Sequence, residues 1–286
     1  MQDDSIFCHK CGTKIPSGIS QSNPPSQSGN RQAQKELGNK KPLQKQWWFW
    51  VVITILVTTV LALTIFAFVL IIDFLSSSKG LEYELSEDGK YYIVVGAGSH
   101  VEDEKIVIPS RYKTKPVKSI DPHAFYKLSN LKNIKIPNSV TTIGNSAFAY
   151  CNNLTSLEIP KSVTTIGDDA FVRCCDLTSL VIPDSVTSIG AGAFSSCFGL
   201  TTVTLSSNLT SIGDYVFAGC NRLTTITIPK SITTIGNRAF YNCNKLMSIT
   251  FEGTVRRWKT IMLDSGWNSN SPITEVVCSD GVVKLN

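Results

Sequence analysis

Phe125, Phe148, Phe171, Phe194, Phe217 and Phe240 follow one another at an unvarying interval of 23 residues. The same interval carries Leu131 through Leu154, Leu177, Leu200 and Leu223 to Leu246, and Ile136 through Ile159, Ile182, Leu205 and Ile228 to Phe251. Written as one unit, the repeat reads IPxSVTTIGxxAFxxCxxLTSL. A segment of this length cannot bury its own few apolar side chains. It becomes stable when successive units stack as coils, so that equivalent residues form continuous apolar columns.

Local patterns fill in the coil. In Leu154-Thr155-Ser156-Leu157-Glu158-Ile159 the alternation predicts a short strand with Leu157 and Ile159 inward and Ser156 and Glu158 outward. Neighbouring coils would pair such strands in parallel at about 4.8 Å. The glycine after each isoleucine, as in Ile143-Gly144 and Ile166-Gly167, marks a turn that needs either an unusual backbone angle or a close approach. The Ala-Phe pair then drives an aromatic ring into the interior. The expected fold is mainly β with short helical or irregular turns: a solenoid of 23-residue coils over residues 117–251. Residues 80–116 form an amino-terminal capping hairpin region and residues 252–286 a carboxyl-terminal cap. Asp88-Gly89 is a good hairpin turn, and Trp258 and Trp267 offer apolar area to cover the final coil.

These residues resemble the leucine-rich repeats of the BspA type. The IP start, the IG turn, the AFxxC core and the LTSL strand recur in register through five units, with substitutions such as Leu205-Ser206 and Val216. The flanks are similar too: GLEYELSEDGKYYIVVGAG with IVIPSRYKTKPVKSI on one side, FEGTVRRWKTI with WNSNSPITEVVCSDGVVKL on the other. The resemblance, from about Gly80 to Leu285, implies a leucine-rich-repeat solenoid of the kind found on bacterial and parasite surfaces, with adhesion to host or neighbouring-cell proteins as its role.

The first third of the chain is different. Residues 16–46 have a linker composition and are expected to be disordered. From Trp47 to Ile72 there are 26 residues without a charge. As a helix of about 39 Å this stretch can cross a bilayer, and residues 47–75 are assigned to one transmembrane helix. Arg31, Lys35, Lys40, Lys41 and Lys45 precede it, whereas Asp73, Lys79, Glu82 and Glu84 follow, which keeps the amino terminus cytoplasmic and places the repeats outside the cell membrane.

Residues 1–15 contain Cys8-His9-Lys10-Cys11-Gly12, and FCHKCGTKIPSG resembles the first half of a small zinc ribbon. Cys8 and Cys11 could hold zinc as two thiolates, at a site left incomplete or shared between molecules, because a structural zinc takes four ligands and no second CxxC follows before the apolar span. A third and fourth ligand from a partner, or a degenerate remnant, are the other readings. In the repeats, Cys151, Cys174, Cys197, Cys220 and Cys243 share one column and read as small hydrophobes, since stacked parallel side chains do not easily reach disulfide geometry. Cys175 points outward and is the better candidate for a reactive thiol, while the pairing of Cys278 stays open.

Catalytic chemistry is not expected. The chain has three histidines, and in the repeats no histidine stands near an acid. The many Ser and Thr residues lack a base to activate them. A net charge of +5 does not point to nucleic acid, and no small-molecule substrate is indicated. Two features suggest interaction. Lys105, Arg111, Lys113, Lys115 and Lys118 begin a run of eight Lys/Arg up to Lys135 against Asp121 alone, attractive to anionic envelope polymers or lipid headgroups, or else a solvated face. Tyr150, Phe198 and Tyr241 occupy variable turn positions, where they either meet a surface protein or pack on neighbouring coils. The favoured function is a single-pass, non-enzymatic surface interaction protein, adhesion-like. The alternative is an envelope sensor or scaffold that couples an external ligand to assembly of the CxxC tail.

Overall fold

The structure is a computed structural model that describes residues 50–65 and 80–285. The chain divides into two units, residues 1–64 and 65–286. Residues 50–65 are helical, and their large apolar side chains, Trp50, Ile55, Leu61 and Leu63 among them, are exposed. No helix among the described residues is long and apolar enough to cross a membrane. Residues 1–46, with Cys8 and Cys11, and the remainder of the 47–75 span lie outside the described residues.

The second unit is mainly β and winds as a solenoid of coils of about 23 residues. Each coil has two strand-bearing sides and one turn side. On the first strand side, Ser179, Thr202 and Thr225 stand in parallel register, each one repeat apart. Alternation sets the facing: Leu180 is buried between exposed Ser179 and Val181. The strands lead into β-turns closed by a bond back across three residues, Val163 to the Pro160 carbonyl at 3.0 Å, with Ile232 to Pro229 and Leu209 to Ser206 in later coils. The chain then enters the second strand side, where Thr142–Ile143, Thr165–Ile166 and Ser188–Ile189 pair in parallel.

The glycine that ends each of these short strands resolves the two sequence readings in favour of close approach. A Cβ on Gly167 would lie 2.6 Å from the Asn145 backbone nitrogen, and one on Gly144 would lie 2.6 Å from the Pro122 nitrogen. Neither residue has a positive φ.

Regular pairing is interrupted once on each strand side. Among the described residues no ladder joins Ser156–Leu157 to Ser179–Val181, or Ser188–Ile189 to Ser211–Ile212. The second interruption coincides with two departures from the repeat. Ser206 stands where other coils have proline, and its hydroxyl donates to the Val186 carbonyl at 2.7 Å. Gly213 meets nothing closer than 3.6 Å where a Cβ would sit, unlike its counterparts.

The turn side is continuous. Phe148 N–H donates to the Ala170 carbonyl of the next coil at 2.8 Å, and the equivalent bond recurs from Phe125 to Phe240, which reaches Trp267. Alternate N–H groups stay within the coil, as in Ala149 to Ser146 and Cys151 to Phe148. This arrangement puts two positions per coil, four residues apart, at positive φ, for example Asp169 (51°) and Arg173 (58°). For a residue other than glycine that conformation costs roughly 1–2 kcal/mol.

Inside the turn, all six phenylalanine rings of the column are fully buried. They stack nearly parallel, with centroids 5.1 Å apart from Phe125 to Phe171, 5.3 Å from Phe171 to Phe194, and 5.9 and 5.8 Å beyond. Each buried ring contributes roughly 2–3 kcal/mol.

Both ends are closed by antiparallel hairpins. Glu82–Leu85 pairs with Tyr92–Gly96 around Gly89 (φ 67°), and Tyr92–Gly96 joins the second strand side through Lys115–Ile120. Tyr83 stacks on Tyr112 at 4.0 Å with Tyr92 edge-on. At the other end Glu275–Cys278 extends the first strand side and turns back into Gly281–Lys284. Trp267 meets Phe240 edge-on at 6.1 Å and ends the ring column. Trp258, on the helical turn Val255–Trp258, lies against both Trp267 and Phe251.

Candidate interaction surface

The basic residues grouped by sequence separate in space. Lys105 lies on the first strand side, beside a shallow hollow of about 360 Å³ that Lys135, Ser156, Glu158 and Ser179 also line. Arg111, Lys113, Lys115 and Lys118 belong to the amino-terminal end, where Arg111–Tyr112 and Lys115–Ile120 form a hairpin through Lys113 and Thr114, both at positive φ. Several heads are already engaged. Arg111 donates to the Thr114 carbonyl, Lys115 to the Gly89 carbonyl, and Lys113 and Lys118 lie over the rings of Tyr112 and Tyr91.

Glu104, just before the basic run, pairs with Lys132 at 2.6 Å, and Glu102 accepts from Asn130. A count confined to residues 105–135 does not see these acids, which stand 28 residues away in sequence and one coil away in space.

Tyr150, Phe198 and Tyr241 all lie toward the turn side but are not one patch. Tyr150 is half-buried, edge-on to Tyr126 at 5.6 Å, with Lys127 and Arg173 over its ring at 5.9 and 5.5 Å. Tyr241 carries Arg238 at 5.2 Å, and the same guanidinium lies 5.9 Å from Tyr215. Phe198 is 38% exposed beside Cys175, Asp176 and Arg222. Packing on neighbouring coils accounts for Tyr150; Tyr241 takes its cation from its own coil and an Asn270 N–H on its hydroxyl at 3.3 Å from the next, and Phe198 is the most open of the three. Tyr126, Arg173, Tyr215 and Arg238 belong to the same surface and were not singled out from sequence. For Arg173, Tyr215 and Arg238 the signal was their place two residues after the phenylalanine, or two before it, where other coils carry Gly192 and Gly219; Tyr126 directly follows Phe125.

The cysteine column is buried and its thiols are free. Each Sγ donates to the carbonyl of the phenylalanine one coil back, as in Cys151 to Phe125 at 3.1 Å and Cys220 to Phe194 at 3.3 Å. The column thus serves as a hydrogen-bond row as well as a hydrophobic one. Burial pushes the Cys151, Cys197 and Cys243 thiols up to about 12. Cys175 is half-buried; burial raises it too, against a lowering influence of Arg173, so it is no activated thiolate. Cys278 is a free thiol in the closing strand.

One histidine does stand beside an acid, outside the repeats: His100 Nδ1 is 2.5 Å from Asp103 Oδ2. Its Nε2 accepts the Gly80 N–H at 3.1 Å, so both nitrogens are engaged in fixing the start of the cap. Asp168 and Asp169 are adjacent, but Asp168 Oδ1 accepts the Ala191 N–H of the next coil at 2.8 Å, a structural use. Among the described residues no group of three or more His, Cys, Asp or Glu could hold a metal ion.

A solenoid of coils with an IP turn, a glycine close approach, an AFxxC turn side and hairpin caps is a specific combination. Six copies of the BspA type leucine rich repeat region match, over residues 104–179 and 164–285. The chain belongs to this family. A leucine rich repeat protein of T. pallidum is 27% identical over 59% of this chain and 88% of its own, with a TM-score of 0.51. The pneumococcal vaccine antigen PcpA shares the fold at 20% identity and a TM-score of 0.52, over 68% of this chain and 46% of its own. A leucine-rich repeat protein of Bacteroides ovatus is 21% identical over 71% of this chain and 70% of its own, with a TM-score of 0.44. No curated protein matches the chain.

Proposed function

We propose that this BspA-type protein is a membrane-anchored, non-enzymatic surface protein whose repeats bind other proteins. One observation carries the reading: from Ser179 onward the first strand side presents side chains in strict register from coil to coil, with Thr202, Thr225, Thr204 and Thr227 exposed on fixed rows. Such a surface offers many similar polar contacts over a long distance and suits an extended partner. Exposed apolar side chains along residues 50–65 support an anchor, because an apolar helix needs a matching solvent.

Binding of the full-length protein, in nonionic detergent, to immobilised matrix proteins and to whole cells tests the function. Exchanging Val181, which is 62% exposed, and Thr204 together for aspartate should weaken that binding without unfolding the solenoid. Unchanged binding would exclude the strand rows as the contact surface. Protease shaving of intact cells, read with antibodies to each end, tests the topology: digestion of the amino-terminal end would reverse it.

A further inference from the structure

The turn side carries a pattern that its own stability does not require. Its two positive-φ positions are glycine in some coils, at Gly192, Gly219 and Gly266, which is what that backbone favours. Elsewhere six of them hold His123, Lys127, Tyr150, Arg173, Tyr215 and Arg238, large side chains in a conformation unfavourable to each. The side chains organise one another. Lys127 lies over Tyr126 and Tyr150, Arg173 over Tyr150, and Arg238 between Tyr215 and Tyr241 with an N–H to the Tyr215 hydroxyl at 3.4 Å. All three cations are exposed, and among the described residues none forms an ion pair with a carboxylate. Cations laid on rings lose little freedom on binding, and a guanidinium so held still presents its N–H edge.

We propose that this stripe is a binding site for a linear acidic polysaccharide. The proposal rests on the reading of the solenoid as a binding scaffold and names a second class of partner on a different side of it. Lys127 and Arg173 are two coils apart and Arg173 and Arg238 about three, hence roughly 10 and 14 Å at about 4.8 Å per coil. Fixed positive charges at such intervals suit a chain whose acidic groups are sparse. A nucleic acid strand is denser, with a phosphate about every 3.4 Å, and it engages protein aromatics by stacking on open ring faces. Here the faces carry the protein's own cations.

The test uses the full chain in nonionic detergent over immobilised hyaluronate and unsulfated chondroitin, each with one carboxylate per two sugars, with single-stranded DNA and anionic phospholipid vesicles as the alternative polyanions. Three contacts predict polysaccharide affinity that falls with salt, by less than the roughly 20- to 40-fold a nucleic acid would lose over three contacts between about 50 and about 200 mM. Lys127→Gln, Arg173→Gln and Arg238→Gln together should lower affinity by about tenfold or more and flatten that dependence. Arg256→Gln with Lys259→Gln, exposed in the carboxyl-terminal cap, should leave it unchanged. The triple exchange of the same stripe residues to glycine should also lose binding while melting no earlier than the parent, since glycine suits their backbone; a purely structural role predicts earlier melting. Absence of binding to either polysaccharide, binding indifferent to the glutamine variant, or tighter binding to DNA or vesicles would overturn the proposal. These outcomes leave cell binding through the strand rows as a separate readout, so that either reading can fail alone.

Discussion

The turn side and the second strand side teach different things about how the stack holds together. On the turn side the phenylalanine N–H finds a partner in the next coil at every junction, and the rings stay stacked throughout. On the second strand side the ladder stops between Ile189 and Ser211. Just past that interruption the ring spacing widens from 5.3 to 5.9 Å. Continuity therefore lies with the turn side, and the strand sides tolerate a missing rung.

The strongest challenge to the turn side is alkali. The folded-state thiols of Cys151, Cys197 and Cys243 stand near 12, above the unfolded value of about 8.5, so folding retains protons that the unfolded chain would release. Their contribution is fully present below about pH 8.5 and is lost as pH rises toward 12, at roughly 1.4 kcal/mol per pH unit for each thiol. Circular dichroism against pH should show unfolding above about pH 9, and replacement of the three by alanine should move it upward. An unshifted midpoint would remove the thiols from the account.

Next comes the ring column. Phe171→Ala should cost about 3–5 kcal/mol by chemical denaturation. Tyr150→Ala, on the outer face of the same side, should cost less than about 1.5 kcal/mol. Similar losses at both would erase the distinction between inner column and outer row.

The glycines give a finer comparison. Gly167→Ala pushes a Cβ to 2.6 Å from backbone and should destabilise by about 1–3 kcal/mol. Gly213→Ala, at the interrupted rung, meets only ordinary contacts and should change stability by less than about 1 kcal/mol. Equal effects would mean that the interruption does not loosen the backbone. Ser206→Ala removes the hydroxyl bond to the Val186 carbonyl and should cost about 1 kcal/mol in thermal or chemical melts.

Much of the fold was legible because burial repeats with the chain. Phe171, Leu177, Ile182 and Cys174 recur at one interval, and their columns are buried as the pattern required. The inward and outward assignment around Leu157 followed from alternation alone. What sequence could not show is how one coil reaches another. The thiol-to-carbonyl bonds span 26 residues and the Lys132–Glu104 pair 28, offsets that no local window contains. The candidate surface was legible only in part for the same reason. Tyr150 and Tyr241 stood out as aromatics at variable positions, but Arg173 and Arg238 gained meaning only when stacking laid them on those rings. Lys105 and Arg111 looked like neighbours until the chain folded them onto different sides.

Because the turn-side bond joins one coil to the next at the same offset from Phe125 to Phe217, the array is indifferent to how many such coils it contains. Duplicating or deleting a whole unit leaves every surviving junction as it was, and the hairpins at the two ends need not change. Length is thus the property most readily varied by descent, in steps of about 4.8 Å. A protein built this way can adjust how far it reaches without redesigning what it displays.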